Sequence, residues 1–475
     1  MNDLLKLSLI EIRNAVAEKR VSATEATEAA LKRIDEASDL NAVLTVDREG
    51  ALSAAKAADE KIAKGENAGV LGGVPILVKD NISTRGVRTT CASKFIENYV
   101  PPFDATVVKK LKEAGAVILG KTNMDEFAMG SSNENSAFGP VKNAVDPTRV
   151  PGGSSGGSAS AVAACMAYGA LGSDTGGSIR QPASFCGVVG LKPTYSTVSR
   201  YGLIAFASSL DQIGPLTRTV ADNALLFDVI AGHDPMDSTS APIKENYTDY
   251  PLGVKGKTIG IPKEFFEKDF SPVVREKVMA VAAFYEKSGA KLKEVSISSF
   301  DAALATYYVL ACAEASSNLA RFDGVKYGAR AEGADYIDTY YKSRTAGFGA
   351  EVKRRIMIGN YVLSSGYYDA YYLKASRIRT KIKSDFDAAL SGCDVILGPT
   401  SPTTAFELGK KVHDVTETYM SDIFTVPVNI AGLPAISIPC GKDEKGLPVG
   451  LQLIGRAFGE KTILGVAETF EKENA

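Results

Sequence analysis

Between Gly152 and Pro182 the chain reads GGSSGGSASAVAACMAYGALGSDTGGSIRQP, two Gly/Ser-rich turns bracketing an apolar run. Few arrangements satisfy such a stretch. A flexible linker has this density of glycine and serine, but it does not lead straight into a segment as apolar as Ala159–Ala170 and then recur as DTGGS. A phosphate cradle also places glycines before a helix, yet the P-loop pattern requires Gly-Lys-Ser/Thr after its spacer, and no lysine follows either turn. The pattern instead predicts a buried helix over Ala159–Ala170 with Gly169 as its C-cap. A short strand from Leu171 to Thr175, a tight turn at Gly176-Gly177 and a second helix starting near Ser178 follow. Both turns then face one point in space, with backbone N–H groups and a positive helix end at Ser178.

Composition narrows the chemistry available at that point. The chain has 475 residues, 45% of them hydrophobic, and a formal net charge of −2, which leaves ample core and argues against a strongly basic nucleic-acid surface. Six cysteines (Cys91, Cys165, Cys186, Cys312, Cys393 and Cys440) occur without a CxxC pair, as expected of free thiols in a reducing compartment. With no secretory leader and no apolar run of membrane length, a cytoplasmic location is expected. The two histidines, His233 and His413, both sit in polar surroundings far from the serine turns. A Ser-His-Asp triad needs a positioned imidazole and a structural zinc needs several spaced ligands. If a serine is the nucleophile, something other than histidine takes its proton.

Along the chain, Ser8 with Glu11 and Ser22 with Glu25 fit capping boxes, the second opening a helix to about Ala37; a third helix is expected over Ala51–Ala63. LGGVPILVK, from Leu71 to Lys79, is a glycine turn and a buried strand ending in lysine. Burying an ammonium is costly, so Lys79 is either exposed at the strand end beside Asp80 or desolvated enough to be neutral. A helix over Ala105–Ala114 and a strand over Ala116–Gly120 set up a βαβ pattern. Further strands are expected in GVVGLKPT, KTIGIPK, Leu292–Ile297, DVILGPTSP, PVNIAGLPAISIPCG and LPVGLQLIG. Helices are expected after Thr219, over Pro272–Ser288 and from about Lys461. No linker or repeat divides the chain. The expectation is one α/β domain over 1–475, a central mixed sheet with helices on both faces. It would have an N-terminal helical part (1–65), a core holding the serine turns (70–220) and a helical embellishment over about 240–390.

Three ordered segments, VPILVKDN around Lys79, PGGSSGGSAS around Ser154 and DTGGSIRQPASFCG around Ser178, resemble the amidase signature family over nearly the whole chain. The resemblance implies the amidase signature fold, with Ser178 as nucleophile, Ser154 as a bridging serine held by a cis peptide, and Lys79 as base. The inventory agrees with it: a neutral lysine accepts a proton through Ser154 as histidine does elsewhere. The N–H groups of Thr175, Gly176, Gly177 and Ser178 are the candidate oxyanion donors. Ser155, Asp174 and Arg180 are read as supports for the loops.

Within the family, NMDEFAMGSSNENSAFGP, SRYGLIAFASSLDQIGP, GFGAEVKRRI, LSSGYYDAYY and YMSDIFTVPVNIAGLP resemble the branch of glutaminase components of tRNA-dependent amidotransferases. That implies a glutaminase releasing ammonia for amidation of Glu-tRNA(Gln) or Asp-tRNA(Asn) on a partner. It also implies B and C subunits in a heterotrimer, tRNA bound through the complex, ATP and Mg on the B subunit, no cofactor in this chain and no membrane. Glutamine is a zwitterion, and the resemblance offers Arg355 for its carboxylate, Asp422 for its amino group and Tyr307 as a pocket wall. Arg354 and Tyr308 are the neighbouring alternatives. A stand-alone amidase for small amides would keep Lys79, Ser154 and Ser178 without needing Arg355 and Asp422; a non-enzymatic scaffold or phosphate-binding module would keep the glycine turns but not the lysine–serine–serine set.

Overall fold

A computed structural model describes residues 3–410 and 419–474. Its first helices start where the sequence provides caps. Ser8 accepts the N–H of Glu11 while Glu11 reaches back to Ser8, opening α1 (Leu9–Ala17), and Ser22 with Glu25 opens α2 (Ala23–Glu36) in the same way. Helix α3 spans Arg48–Ala63, starting ahead of Ala51 because the Asp47 carboxylate accepts the Gly50 N–H.

The centre of the molecule is an 11-stranded sheet. Its strands are β1 (Val43–Val46), β2 (Pro75–Lys79), β3 (Val117–Thr122), β4 (Gly169–Asp174), β5 (Val189–Lys192) and β6 (Gln212–Thr217), followed by β7 (Thr258–Pro262), β8 (Lys291–Val295), β9 (Val395–Pro399), β10 (Ala435–Lys442) and β11 (Pro448–Ile454). In space they run β1-β3-β2-β4-β6-β5-β10-β11-β9-β7-β8. β3, β2 and β4 are mutually parallel, as are β9, β7 and β8, and the strands between these groups pair antiparallel. This is the expected α/β architecture with a mixed sheet. Every residue of β2, β3, β4, β5, β6, β9 and β11 is buried, so both sheet faces are covered. Helix α4 (Thr106–Glu113) forms the crossover between β2 and β3.

Two readings of the central stretch are corrected. Helix α5 covers Gly156–Ala163 rather than Ala159–Ala170. It stops because Cys165 adopts a left-handed φ of 57°, with its N–H on Val162 and that of Met166 on Ala161, a Schellman-type ending. Gly169 is therefore no cap and instead opens β4. The next helix, α6, covers Arg180–Cys186, starting just beyond Ser178. The PVNIA segment, expected to run into a strand, is a short helix over Val426–Ala431 ahead of β10.

Helix α7 (Val220–Ile230) is capped by Thr219, as the sequence suggests. Residues 240–390 hold α8 (Lys263–Glu267), α9 (Pro272–Lys287), α10 (Ala303–Asn318), α11 (Tyr336–Gly347), α12 (Ala350–Leu363) and α13 (Lys374–Ser391), and also β7 and β8, which form one edge of the sheet. Helix Glu460–Asn474 closes the described chain. Among the described residues no helix is long and apolar enough to cross a membrane, and no group of three His, Cys, Asp or Glu is arranged to hold a metal.

Candidate active site

The end of β2 carries Lys79 into the interior with no exposed surface, and Asp80 after it is equally buried. Lys79 Nζ lies 2.8 Å from Ser154 Oγ, 2.8 Å from Ser155 Oγ, 3.0 Å from Ser173 Oγ and 3.2 Å from the Ser173 carbonyl. Ser155 already donates its own proton to the Ser173 carbonyl at 3.1 Å, so it accepts from Lys79. A neutral amine has two protons and one lone pair, and the surroundings accommodate both: protons to Ser155 and Ser173, lone pair toward the Ser154 hydroxyl. Burial pushes the Lys79 amine down to about 7, against the pull of Asp125, Asp174 and Asp211.

Ser154 follows a cis peptide from Gly153 at the start of the α5 turn, and the loop after β3 packs against it. Asp125 donates its N–H to the Ser154 carbonyl at 3.3 Å, and its carboxylate accepts the N–H groups of Asn133 and Asn135 at 3.0 and 3.1 Å. A Cβ on Gly153 would lie 2.1 Å from Asp125 Oδ2, which explains the glycine there. Gln181 bridges the two loops, accepting the Gly153 N–H at 3.0 Å and donating to the Ser131 carbonyl at 2.8 Å.

Ser178 is 7% exposed on the turn between β4 and α6. Its carbonyl accepts the Ser155 N–H at 3.0 Å, which ties the two serine turns together as the sequence suggests. Its hydroxyl makes no hydrogen bond among the described residues, so Lys79 and Ser154 are in contact whereas Ser178 joins them through backbone alone. Asp174 shapes this turn. Its carboxylate accepts from Gly177 N–H at 2.8 Å and Ile179 N–H at 3.2 Å, and pairs with Arg180 Nε at 3.0 Å, both side chains fully buried. Burial alone would raise the Asp174 carboxyl, but Arg180 holds it well below the usual carboxylate range. Arg180 also donates to Gln452, Asn429 and the Thr425 carbonyl. The Gly177 N–H is thus spent on Asp174. Those of Thr175, Gly176 and Ser178 have no acceptor among the described residues and stay free for an incoming oxygen. The Thr175 hydroxyl is fixed by Asp211 at 2.6 Å.

Next to this turn stands a wall from α10, α12 and the segment before Val426. Tyr307 packs on Gly176 so closely that a Cβ there would lie 2.6 Å from its ring carbon Cζ. Thr425 donates its hydroxyl to the Gly176 carbonyl at 2.7 Å and its N–H to the Asp422 carbonyl at 3.1 Å, fastening Asp422 to the same turn. Arg355 is 2% exposed, with Nε on Glu351 at 2.8 Å and its guanidinium 5.2–5.4 Å from the ring centres of Phe206, Tyr308 and Tyr419. Neither Nη nitrogen is engaged among the described residues. Burial opposes its charge, but Glu351 and the tyrosines hold the guanidinium firmly protonated. Arg354 points outward, its side chain 42% exposed, so of the adjacent arginines only Arg355 is inside. Tyr308 stacks on Tyr419 at 4.0 Å and lines the arginine; Tyr307 lines the turn. Asp422 is 6% exposed, bonded through Oδ2 to Ser131, while Oδ1 is buried without a partner among the described residues. Burial pushes its carboxyl up to about 7 even though Ser131 and Arg355 favour the ionised form.

Asn81, which donates to Ser173 Oγ at 2.9 Å, and Asp125, Ser131, Ser173, Asp211, Glu351 and Tyr419 take part in the site without being singled out from sequence. Only Asn81 and Asp125, each just after a buried strand, carry a local signal. His233 is exposed beside Ser240, and His413 lies outside the described residues. A cavity of about 1020 Å³ among Phe95, Tyr99, Phe322 and Tyr327 lies apart: none of Lys79, Ser154, Ser178, Arg355 or Asp422 lines it.

A buried lysine on a serine pair, beside a Gly-Gly-Ser turn with free N–H groups, is the arrangement of an amide hydrolase. The Amidase family matches residues 25–464, and the chain belongs to the amidase signature family. Among its relatives it is 57% identical over 474 residues to the A subunit of the glutamyl-tRNA(Gln) amidotransferase of Halothermothrix orenii, covering 99% of this chain and 98% of that protein. It superposes on the crystal structure of the corresponding Thermotoga maritima protein with a TM-score of 0.83 at 46% identity, covering 99% of this chain and 96% of that one. The peptide amidase of Stenotrophomonas maltophilia shares the fold at 30% identity and a TM-score of 0.83, with 98% and 97% covered.

Proposed function

We propose that this chain is the glutamine-hydrolysing component of a tRNA-dependent amidotransferase that converts Glu-tRNA(Gln). Ser178 Oγ attacks the side-chain amide carbon of glutamine while its proton passes to Ser154 and that of Ser154 to neutral Lys79. The N–H groups of Thr175, Gly176 and Ser178 receive the developing oxyanion; one such donor is worth about 10²–10³ in rate. Lys79 returns the proton through Ser154 to the leaving nitrogen, so ammonia departs and a γ-glutamyl ester remains on Ser178. Water then cleaves the ester to glutamate. Partner B and C subunits, with ATP and Mg on the B subunit, use the ammonia to amidate the tRNA-bound residue. The chemistry in this chain needs no cofactor.

The observation that carries the glutamine reading, rather than a general amidase, is the pair of buried groups with unspent valences beside the Ser178 turn. Among the described residues Arg355 makes its side-chain hydrogen bond through Nε to Glu351, with none through either Nη nitrogen, and Asp422 Oδ1 is buried without a partner; the two carry opposite charges fit for a carboxylate and an ammonium. A substrate lacking both groups would leave them buried and unsatisfied, a cost that selects against it. The test compares kcat/KM for glutamine with that for propionamide. Arg355→Ala and Asp422→Asn are each expected to lower the glutamine-to-propionamide ratio about a hundredfold, since truncating one side of a buried charge pair costs about 2–5 kcal/mol. An unchanged ratio in both variants would return the chain to a general amidase.

A further inference from the structure

We infer that Ser131 is a positioning residue for substrate specificity: its hydroxyl occupies Asp422 Oδ2 and so leaves Oδ1 as the single oxygen offered to a ligand's ammonium. This rests on the glutamine reading above and names a residue that reading does not require.

The geometry that supports it is a buried relay. Ser131 is 1% exposed and donates to Asp422 Oδ2. Its carbonyl is held by Gln181 Nε2 at 2.8 Å, and the other end of that amide accepts the Gly153 N–H at 3.0 Å. The Ser131 backbone is therefore anchored to Gln181 of α6, the helix that follows Ser178, and the Gln181 amide is in turn fixed by the Gly153 N–H, one residue before Ser154. Asp422 Oδ1 meanwhile is sealed from solvent with no partner among the described residues. An unpaired buried carboxylate oxygen costs free energy in the empty chain, a cost relieved when a donor arrives. A carboxylate with both oxygens open would rotate between them; one oxygen pinned by Ser131 fixes the direction of the other.

The same contact bears on protonation. The groups that face Asp422 are Ser131 from the loop after β3, Arg355 from α12, Asp174 and Arg180 from β4 and α6, and Tyr307 and Tyr308 from α10. Burial and Asp174 favour the neutral carboxyl, whereas Ser131, Arg355 and Arg180 favour the carboxylate. Removing the Ser131 hydroxyl shifts that balance toward the neutral form, which does not attract an ammonium.

The experiment measures the glutamine-to-propionamide ratio of kcat/KM across neutral pH for wild type and Ser131→Ala. Taking the ratio cancels the titration of Lys79, which both substrates share. Ser131→Ala is expected to lower the ratio about tenfold at pH 7, in line with one hydrogen bond to a charged group, and to move the midpoint of its rise to higher pH. Ser131→Cys, nearly the same size with a weaker donor, is expected to shift both in the same direction and serves if the alanine variant folds poorly. In an Asp422→Asn background, Ser131→Ala is expected to change the ratio no further. A wild-type ratio and midpoint in Ser131→Ala and Ser131→Cys, while Asp422→Asn still lowers the ratio, would overturn this inference alone. A ratio insensitive to Asp422→Asn would overturn the glutamine reading on which it stands.

Discussion

Lys79 Nζ lies 2.8 Å from Ser154 Oγ in a pocket with no exposed surface, so the amine meets a hydroxyl where water would otherwise compete. The first prediction follows from the direction of its titration. A base must be unprotonated to accept, and burial brings Lys79 down to about 7. The kcat/KM for propionamide is expected to rise with pH, reach half its plateau near 7, and stay high above it. Lys79→Ala is expected to lose at least about 10²-fold, the lower end for general base catalysis. A flat profile across neutral pH, or an active Lys79→Ala enzyme, would contradict the role of base.

Stability obeys the same linkage with its own sign. The unfolded lysine holds its proton up to about 10.4, the folded one only to about 7. Between these values the unfolded chain binds more protons, so this residue's contribution to stability grows with rising pH. Urea titrations of wild type and Lys79→Met are expected to differ most in favour of the methionine variant at pH 7, and to converge toward pH 10. A difference that does not change with pH would refute the depressed titration.

Asp174 and Arg180 are expected to matter for the fold as well as the rate. Their pair is fully buried, and Arg180 spends further donors on Gln452, Asn429 and Thr425. Asp174→Ala leaves that guanidinium without its charge partner, at a cost of about 3–5 kcal/mol. Chemical denaturation should show a loss of that size, together with activity lost on glutamine and propionamide alike. A loss below about 1 kcal/mol, the range of surface pairs, would mean that the pair does not hold the turn.

Gly176→Ala tests how closely the wall is fitted. The added Cβ would sit 2.6 Å from Tyr307 Cζ, closer than real carbon contacts allow. The variant is expected to lose most activity, and Gly176→Ala with Tyr307→Ala to recover part of it, because the second change removes the obstructing ring. A double variant no better than Gly176→Ala alone would show that the backbone of the turn, and not the ring, sets the limit.

What the sequence discloses and what it hides follow from the range of the interactions. Capping boxes at Ser8–Glu11 and Ser22–Glu25, the strand ending at Lys79 and the cap at Thr219 are local, and each is readable within a few residues. The helix expected over Ala159–Ala170 is displaced because a buried helix and a buried strand are both continuously apolar there. Nothing local marks Cys165 as the left-handed residue that ends α5. Ser131, Ser173 and Glu351 owe their place in the site to contacts across large sequence separations, such as Ser131 with Asp422 and Lys79 with Ser173. Arg355 and Asp422 are reached through resemblance, since their own neighbours, Arg354 and Ser421, give no sign of which side chain turns inward. The order of the strands likewise depends on pairings such as β5 with β10 that no local pattern encodes.

The central claim is that Ser178 forms the bond to substrate. The most direct measurement is mass spectrometry of the enzyme quenched rapidly during turnover of glutamine, with the modified peptide mapped. A γ-glutamyl ester is expected on Ser178 in the wild type and none in Ser178→Ala, which should retain the wild-type circular dichroism spectrum. An ester on Ser154, or glutamine turnover that persists in Ser178→Ala, would contradict it.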